Sequence, residues 1–250
     1  QILADERAGR TPFFVNATAG TTVRGAFDPL SELARITRPR GLWLHVDGAF
    51  GASVALSPRR KGLLKGIEFA DSLAWDPHKM MGVPLPCSVL LTQERGLLRA
   101  SLSEQADYLF QENDEAVNPG DRNLHCGRRN DALKLWAAWR YFGDSGWERR
   151  IERQFALAGY AARRIAEIEE LRLVEDPPCI TVCFEVPGKS SEAVCRELAE
   201  RGLAKIGYGK VRERNVIRLV TVNPELSESD LETLLAQILA VSRTLPPLAG

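Results

Sequence analysis

Phe69-Ala70-Asp71-Ser72-Leu73-Ala74-Trp75-Asp76-Pro77-His78-Lys79-Met80-Met81-Gly82 is the stretch from which the fold is read. Its first seven residues are apolar enough for a buried strand, and Pro77 stiffens the turn that follows. Lys79 therefore stands at a strand exit with apolar residues after it. An apolar surrounding strips water from an ammonium, lowers its pKa and frees the amine as a nucleophile. The common product of such a lysine is a Schiff base with a carbonyl cofactor. The common alternative is a lysine that snorkels to solvent.

Upstream, Gly41-Leu42-Trp43-Leu44-His45-Val46-Asp47-Gly48-Ala49-Phe50 reads as a second buried strand that ends on an acid. Trp43 to Val46 are bulky and β-favouring, and Gly48-Ala49 marks the strand's edge. In open α/β sheets ligands sit beyond the carboxyl ends of the strands. Asp47 and Lys79 are thus expected to project into one crevice from two strands of one parallel sheet. Pyridoxal phosphate needs this pair, a lysine for its aldehyde and an acid that keeps its ring nitrogen protonated. Taken alone, Asp47 also reads as a helix N-cap or loop acid.

A third segment, Phe13-Phe14-Val15-Asn16-Ala17-Thr18-Ala19-Gly20-Thr21-Thr22, is a short apolar strand running into small residues and hydroxyls. Small residues let a flat ring approach the backbone, and a threonine hydroxyl can donate to a ring oxygen. An ordinary strand-to-helix loop capped by Thr or Asp28 has the same local pattern.

These motifs, in this order, resemble the group II pyridoxal-phosphate-dependent amino-acid decarboxylases. Ala17-Thr18-Ala19-Gly20-Thr21-Thr22, Trp43-Leu44-His45-Val46-Asp47 and Pro77-His78-Lys79-Met80-Met81-Gly82-Val83 look like the glutamate and cysteine-sulfinate decarboxylase branch. The aromatic amino-acid branch usually has bulkier residues in place of Met80-Met81. The similarity continues through Tyr108-Leu109-Phe110-Gln111, Cys126-Gly127-Arg128, Leu133-Lys134-Leu135-Trp136, and Arg218-Leu219-Val220 with Asn223-Pro224. It implies an α/β fold, with part of an aspartate aminotransferase-like large domain built on a mainly parallel sheet. A small α+β C-terminal domain follows. The expected division is 1–145 for the large domain, 146–170 for a connecting helix and 171–250 for the small domain.

The resemblance also implies roles. Lys79 resembles the lysine that carries the cofactor, and Asp47 the partner of the pyridinium nitrogen. Ala49 would pack under one ring face and Thr22 would reach the phenolic oxygen. Asp76 would lie near the phosphate. His78 would lie near the substrate, or else be a strand-end histidine bonded to backbone, and His45 is ambiguous in the same way. Arg218 resembles the arginine that pairs with the substrate α-carboxylate, a task suited to a planar guanidinium. The sequence departs from the pattern where Asp76 stands for the usual asparagine and Gly48 for a common alanine. A tyrosine is also missing from the loop after Gln111, where the family keeps its usual proton donor. Reprotonation is then left to His78 or water.

The 33 basic residues equal the 33 acidic ones, so charge gives no sign of a nucleic-acid or anionic-membrane partner. No apolar run approaches a membrane span. Five cysteines suit a reducing cytoplasm, and Cys179 and Cys183 fall on an alternating strand pattern, so no metal site is expected. Family members are longer, and the N-terminal half that holds a ring-stacking histidine and phosphate loop has no counterpart here. The expectation is a fragment or subunit that needs a second polypeptide and assembles as a homodimer or heterotetramer. Two other readings stay open: a relative that couples decarboxylation to oxidative deamination, and a noncatalytic subunit that keeps the fold.

Along the chain, strands are expected near 13–17, 43–47, 70–75 and 88–92, with helices near 28–38, 57–65 and 93–102. Residues 111–122 read as a mobile loop. Helices follow at 131–142 and 147–170, then strands at 171–175 and 179–186, a helix at 190–202, a strand at 215–222 and a helix at 227–242.

Overall fold

The computed structural model describes residues 1–102, 123–125 and 127–248. The expectations for residues 103–122 and Cys126 lie outside the described residues.

After a short helix α1 (Ile2–Arg7), the first sheet takes β1 (Phe14–Thr18), β2 (Trp43–Asp47), β3 (Ser72–Trp75) and β4 (Val89–Thr92), in that spatial order. β1 and β3 both pair parallel with β2, whereas β4 runs antiparallel to β3. The sheet is therefore mainly parallel with one reversed edge strand. Along β2 the side chains alternate: Leu44 and Val46 are fully buried, while Trp43, His45 and Asp47 on the other face are only partly so. The buried face packs on α2 (Leu30–Thr37) through Leu30 and Ala34.

The helix expected at 57–65 is instead a series of 3₁₀ turns, with regular structure only over Lys61–Leu64. Pro58 and Gly62 interrupt any longer helix, and the Ser57 hydroxyl accepts from the Arg60 N–H to close a local turn. A short helix α3 (Leu97–Leu102) follows β4.

The two helices expected from 131 to 170 are both present, treated together as α4 (Asp131–Glu167), and they are separated at Gly143, whose φ 62° and ψ 176° are not helical. A backbone of that conformation suits glycine alone. Beyond the kink, Ile151, Gln154, Phe155, Ala158, Ala161, Ala162 and Ile165 are buried along one stripe.

The second sheet comprises β5 (Arg172–Leu173), β6 (Thr181–Glu185), β7 (Gly207–Val211) and β8 (Arg214–Val220), ordered β5-β6-β8-β7 and antiparallel throughout. The sequence reading missed β7 because Gly207 and Gly209 dilute its β-favouring residues. Helices α5 (Ser191–Glu200) and α6 (Glu228–Thr244) cover one face over a core that includes Val182, Phe184, Ile217, Leu219, Leu235 and Ile238. Ser227 and Asp230 form a capping box that starts α6.

A close approach of backbones joins the ends of β1 and β2. The Gly51 N–H donates to the Ala19 carbonyl at 3.0 Å, and a Cβ at Gly51 would stand 2.5 Å from that oxygen. Both atoms belong to main chain, so neither can swing aside. Gly51→Ala is expected to cost about 1–3 kcal/mol, the usual penalty of overpacking. Urea unfolding should show a lower midpoint, and an unchanged midpoint would mean that this crossing yields freely.

Candidate active site

The site is assembled by the turns that leave the carboxyl ends of β1, β2 and β3. In-register pairing aligns Thr18 with Asp47 and Asp47 with Ala74. Beyond that row the turns are tied to one another. Ala19 N–H donates to the Asp47 carbonyl at 2.8 Å, Gly48 N–H to the Ala74 carbonyl at 2.9 Å, and Asp76 N–H to the Ala49 carbonyl at 3.3 Å. The Asp76–Lys79 turn thus starts beside Ala49, two residues past Asp47.

Asp47 is partly buried, and its Oδ1 accepts from the Ala49 N–H at 3.1 Å. Among the described residues no cation pairs with it. Lys79 lies with its side chain two-fifths exposed, and its Nζ is 3.0 Å from Asp76 Oδ2. Burial alone would raise the Asp76 pKa. Hydrogen bonds from Ser88 and Lys79, with the charges of Lys79 and His78, outweigh it and hold the carboxyl below its ordinary range. The extra carboxylate is therefore kept ionised and matched by Lys79.

His78 Nδ1 faces the Cys87 backbone, 2.8 Å from its carbonyl and 3.3 Å from its N–H, so its donor or acceptor role follows the tautomer. Its Nε2 lies 3.9 Å from Asp76 Oδ2. The His78 ring is thus bonded to backbone through Nδ1, with its second nitrogen turned to the Lys79–Asp76 pair. His45 is bound elsewhere: its Nδ1 meets Ser72 Oγ at 2.7 Å and its ring stacks on Phe14 at 6.0 Å between centroids. The Thr21 hydroxyl accepts from the Ala26 N–H, which ties it into the loop, while Thr22 is exposed.

Arg218 arrives from β8 of the second sheet. It pairs in register with Cys183 and with Gly207, and it lies on the face opposite Ile217 and Leu219. Its Nε is buried without a partner among the described residues, and burial lowers the guanidinium pKa. This same face meets the loop of Thr22: Cys183 Sγ donates to the Val23 carbonyl at 3.2 Å, and Val23 packs with Cys183 and Val216.

Sequence reasoning missed three side chains that hold these parts together. Arg24 makes two bonds of 2.6 Å to Glu175, fastening the Thr22 loop to the second sheet. Ser88 supports Asp76. Gln154 donates from Nε2 to the carbonyls of Met80 at 2.8 Å and Val222 at 2.6 Å. One signal for it was present, because Gln154 falls on the apolar stripe of α4 between Ile151 and Ala158.

The sequence profile described as the pyridoxal-dependent decarboxylase conserved domain matches residues 1–187, and the chain belongs to that family. It is 42% identical to cysteine sulfinic acid decarboxylase of Mus musculus over 95% of this chain and 53% of that protein. It is 38% identical to an acidic amino acid decarboxylase of Mus musculus over 97% of this chain and 48% of that one. The crystal structure of mouse CSAD in apo form superposes with a TM-score of 0.90 at 38% identity, over 98% of this chain and 55% of that one. Oryza sativa TDC, solved with PLP and tryptamine, gives 0.88 at 27% identity over 97% and 53%. The chain thus spans about half the length of the curated relatives it matches. Its fold is the aspartate aminotransferase-like fold of these enzymes, and pyridoxal phosphate is the family's cofactor.

The described residues fit that cofactor. A partly exposed lysine and an acid without a cationic partner leave the ends of neighbouring parallel strands, and the Thr22 hydroxyl is exposed on the loop beyond the third.

The lowered Asp76 pKa has a pH signature. A carboxyl depressed in the folded state contributes stability that is present above its unfolded value and is lost as pH falls through its folded value. Asp76→Asn should flatten the acid limb of the stability profile in that window, measured by thermal melting between pH 2 and 6, a range of about four units around the ordinary Asp value. An acid limb of unchanged shape would show that Lys79 does not stabilise the charge.

Proposed function

We propose that this chain carries the lysine-bearing part of a pyridoxal-phosphate-dependent decarboxylase acting on an acidic amino acid. The observation that carries the reading is the placement of Lys79 and Asp47 beyond neighbouring parallel strands, with the unpaired Nε of Arg218 on the sheet that packs against the Thr22 loop. The substrate class rests on the relatives, which are named for cysteine sulfinic acid and for acidic amino acids.

When bound, pyridoxal phosphate supplies an aldehyde for the substrate amine and a ring that takes up the electron pair left by departing carbon dioxide. Lys79 would hold it through its amine. Asp47 would keep the proton on the ring nitrogen, Ala49 would pack against the ring, and Thr22 would donate to its phenolic oxygen. Asp76 would anchor Lys79 in the turn, and His45 would brace the strand through Ser72. Arg218 would pair with the α-carboxylate and align the bond to be broken. His78, with Nδ1 committed to Cys87, has Nε2 to hold or return a proton near the substrate.

In this reading residues 1–145 belong to the cofactor-holding domain, 146–170 connect and 171–250 form the small domain. A further segment, in the same polypeptide or a separate one, completes the first sheet. Phe13 and Phe14 at the β1 edge, and Leu90 and Leu91 on β4, are exposed as strand edges awaiting a neighbour would be. Leu133, Trp136 and Tyr141 stand exposed on α4 and would be covered by a second copy, as a homodimer or heterotetramer requires. The four described cysteines are free and buried, in keeping with the cytoplasm.

Three measurements test the assignment on the assembled protein. Borohydride reduction and peptide mapping should leave the pyridoxyl label on Lys79; a label elsewhere sinks the assignment. Product analysis should yield the amine, whereas an aldehyde would favour the oxidative relative. Arg218→Lys should weaken the amino acid by about tenfold or more with the bound-cofactor absorbance unchanged, because lysine lacks the fork. Release of the cofactor at unaltered substrate affinity would move Arg218 out of the substrate site.

A further inference from the structure

We infer that Gln154 is a positioning residue that sets the separation between the Lys79 turn and the Arg218 strand. It is 1% exposed, in the middle of α4. Its side chain reaches two backbones at once: the carbonyl of Met80, immediately after Lys79, and the carbonyl of Val222, four residues after Arg218. Both partners only accept, so the amide's NH₂ must face them, and both donor hydrogens are used. The Gln154 main-chain carbonyl in turn accepts from the buried Thr221 hydroxyl at 2.8 Å. A leucine or methionine would serve packing equally well on this stripe. The glutamine is present although its Oε1 is buried without a partner among the described residues, which a residue kept for packing would not need.

The inference rests on the roles proposed for Lys79 and Arg218. An amino acid held by its amine at the cofactor and by its carboxylate at Arg218 is gripped at two points. Such a ligand senses the span between them; an amine without the carboxylate does not. The Gln154 amide nitrogen bridges the two backbones directly, with one hydrogen bond to each.

The test uses the cofactor-loaded assembly that contains this chain. Absorbance of the bound cofactor is titrated with L-cysteine sulfinate and with 2-aminoethanesulfinate, the same molecule lacking its α-carboxylate. In Gln154→Met the half-saturating concentration of the amino acid should rise about tenfold, with that of the amine unchanged within about twofold. Hydrogen exchange without either ligand should quicken together at residues 79–83 and 219–223. Arg218→Lys is the benchmark. If it discriminates between the two ligands and Gln154→Met does not, the strut is overturned and the reading of Arg218 stands. If neither variant discriminates, two-point recognition fails and the strut fails with it. Equal loss of both ligands, or unchanged exchange, also overturns it. Should Gln154→Met not load cofactor, Gln154→Asn keeps the amide but cannot span both carbonyls, and the same selective loss is expected. Failure of both to load would make Gln154 a requirement of the fold and overturn a positioning role.

Discussion

In-register parallel pairing of β1, β2 and β3 sets Thr18, Asp47 and Ala74 in one row, and the chemistry of the chain hangs on that row. A slip of one residue would exchange the two faces of β2, sending His45 and Asp47 into the core and Leu44 and Val46 out of it. Burial of Leu44 and Val46, both fully covered, opposes this with about 1.5–3 kcal/mol for each side chain. The apolar face of a five-residue strand thereby decides where an acid stands on the polar face. The backbone bonds among Ala19, Asp47, Gly51, Ala49 and Asp76 carry that alignment into the turns.

Two cations are treated in opposite ways. Lys79 has its counter-ion 3.0 Å away, and both partners retain some contact with solvent. Arg218 is partly buried, and its buried Nε has no partner among the described residues. A buried donor left unpaired carries a desolvation cost that an incoming acceptor would relieve. Lys79 can exchange its ion pair for another bond. Were its amine engaged elsewhere, Asp76 would keep the hydroxyl of Ser88.

Much of this was legible in the sequence. Bulky, β-favouring residues marked β2, Pro77 marked the Lys79 turn, and apolar periodicity marked the helical segments of α4, since each arises from local covalent and packing rules. The reversed direction of β4 was hidden, because strand direction depends on a crossover that no residue within β4 records. β7 was hidden behind Gly207 and Gly209, which weaken local propensity while the ladder with β8 supplies the pairing energy. The helix expected at 57–65 fell to Pro58 and Gly62, whose effect outweighed the apolar spacing. That Asp47, Ala49, Asp76 and Lys79 lie on adjacent strand-end turns was readable because those turns follow one another in chain order. The bond of His45 to Ser72, and that of His78 to Cys87, join distant segments and could be learned only from the fold.

The contacts between the two sheets explain why the hidden residues matter. The ties described here between the active-site turns and the second sheet are largely polar: Arg24 to Glu175, Cys183 to the Val23 carbonyl, and Gln154 to Met80 and Val222. Apolar surfaces tolerate sliding at small cost, whereas a bidentate ion pair or a doubly used amide loses energy with any displacement of its partners. The ties meet two different turns. Arg24 and Cys183 hold the loop of Thr22, and Gln154 holds the turn of Lys79. Directional bonds thus add to the apolar packing of Cys179, Ile180, Val220 and Val222 in fixing the second sheet against both turns.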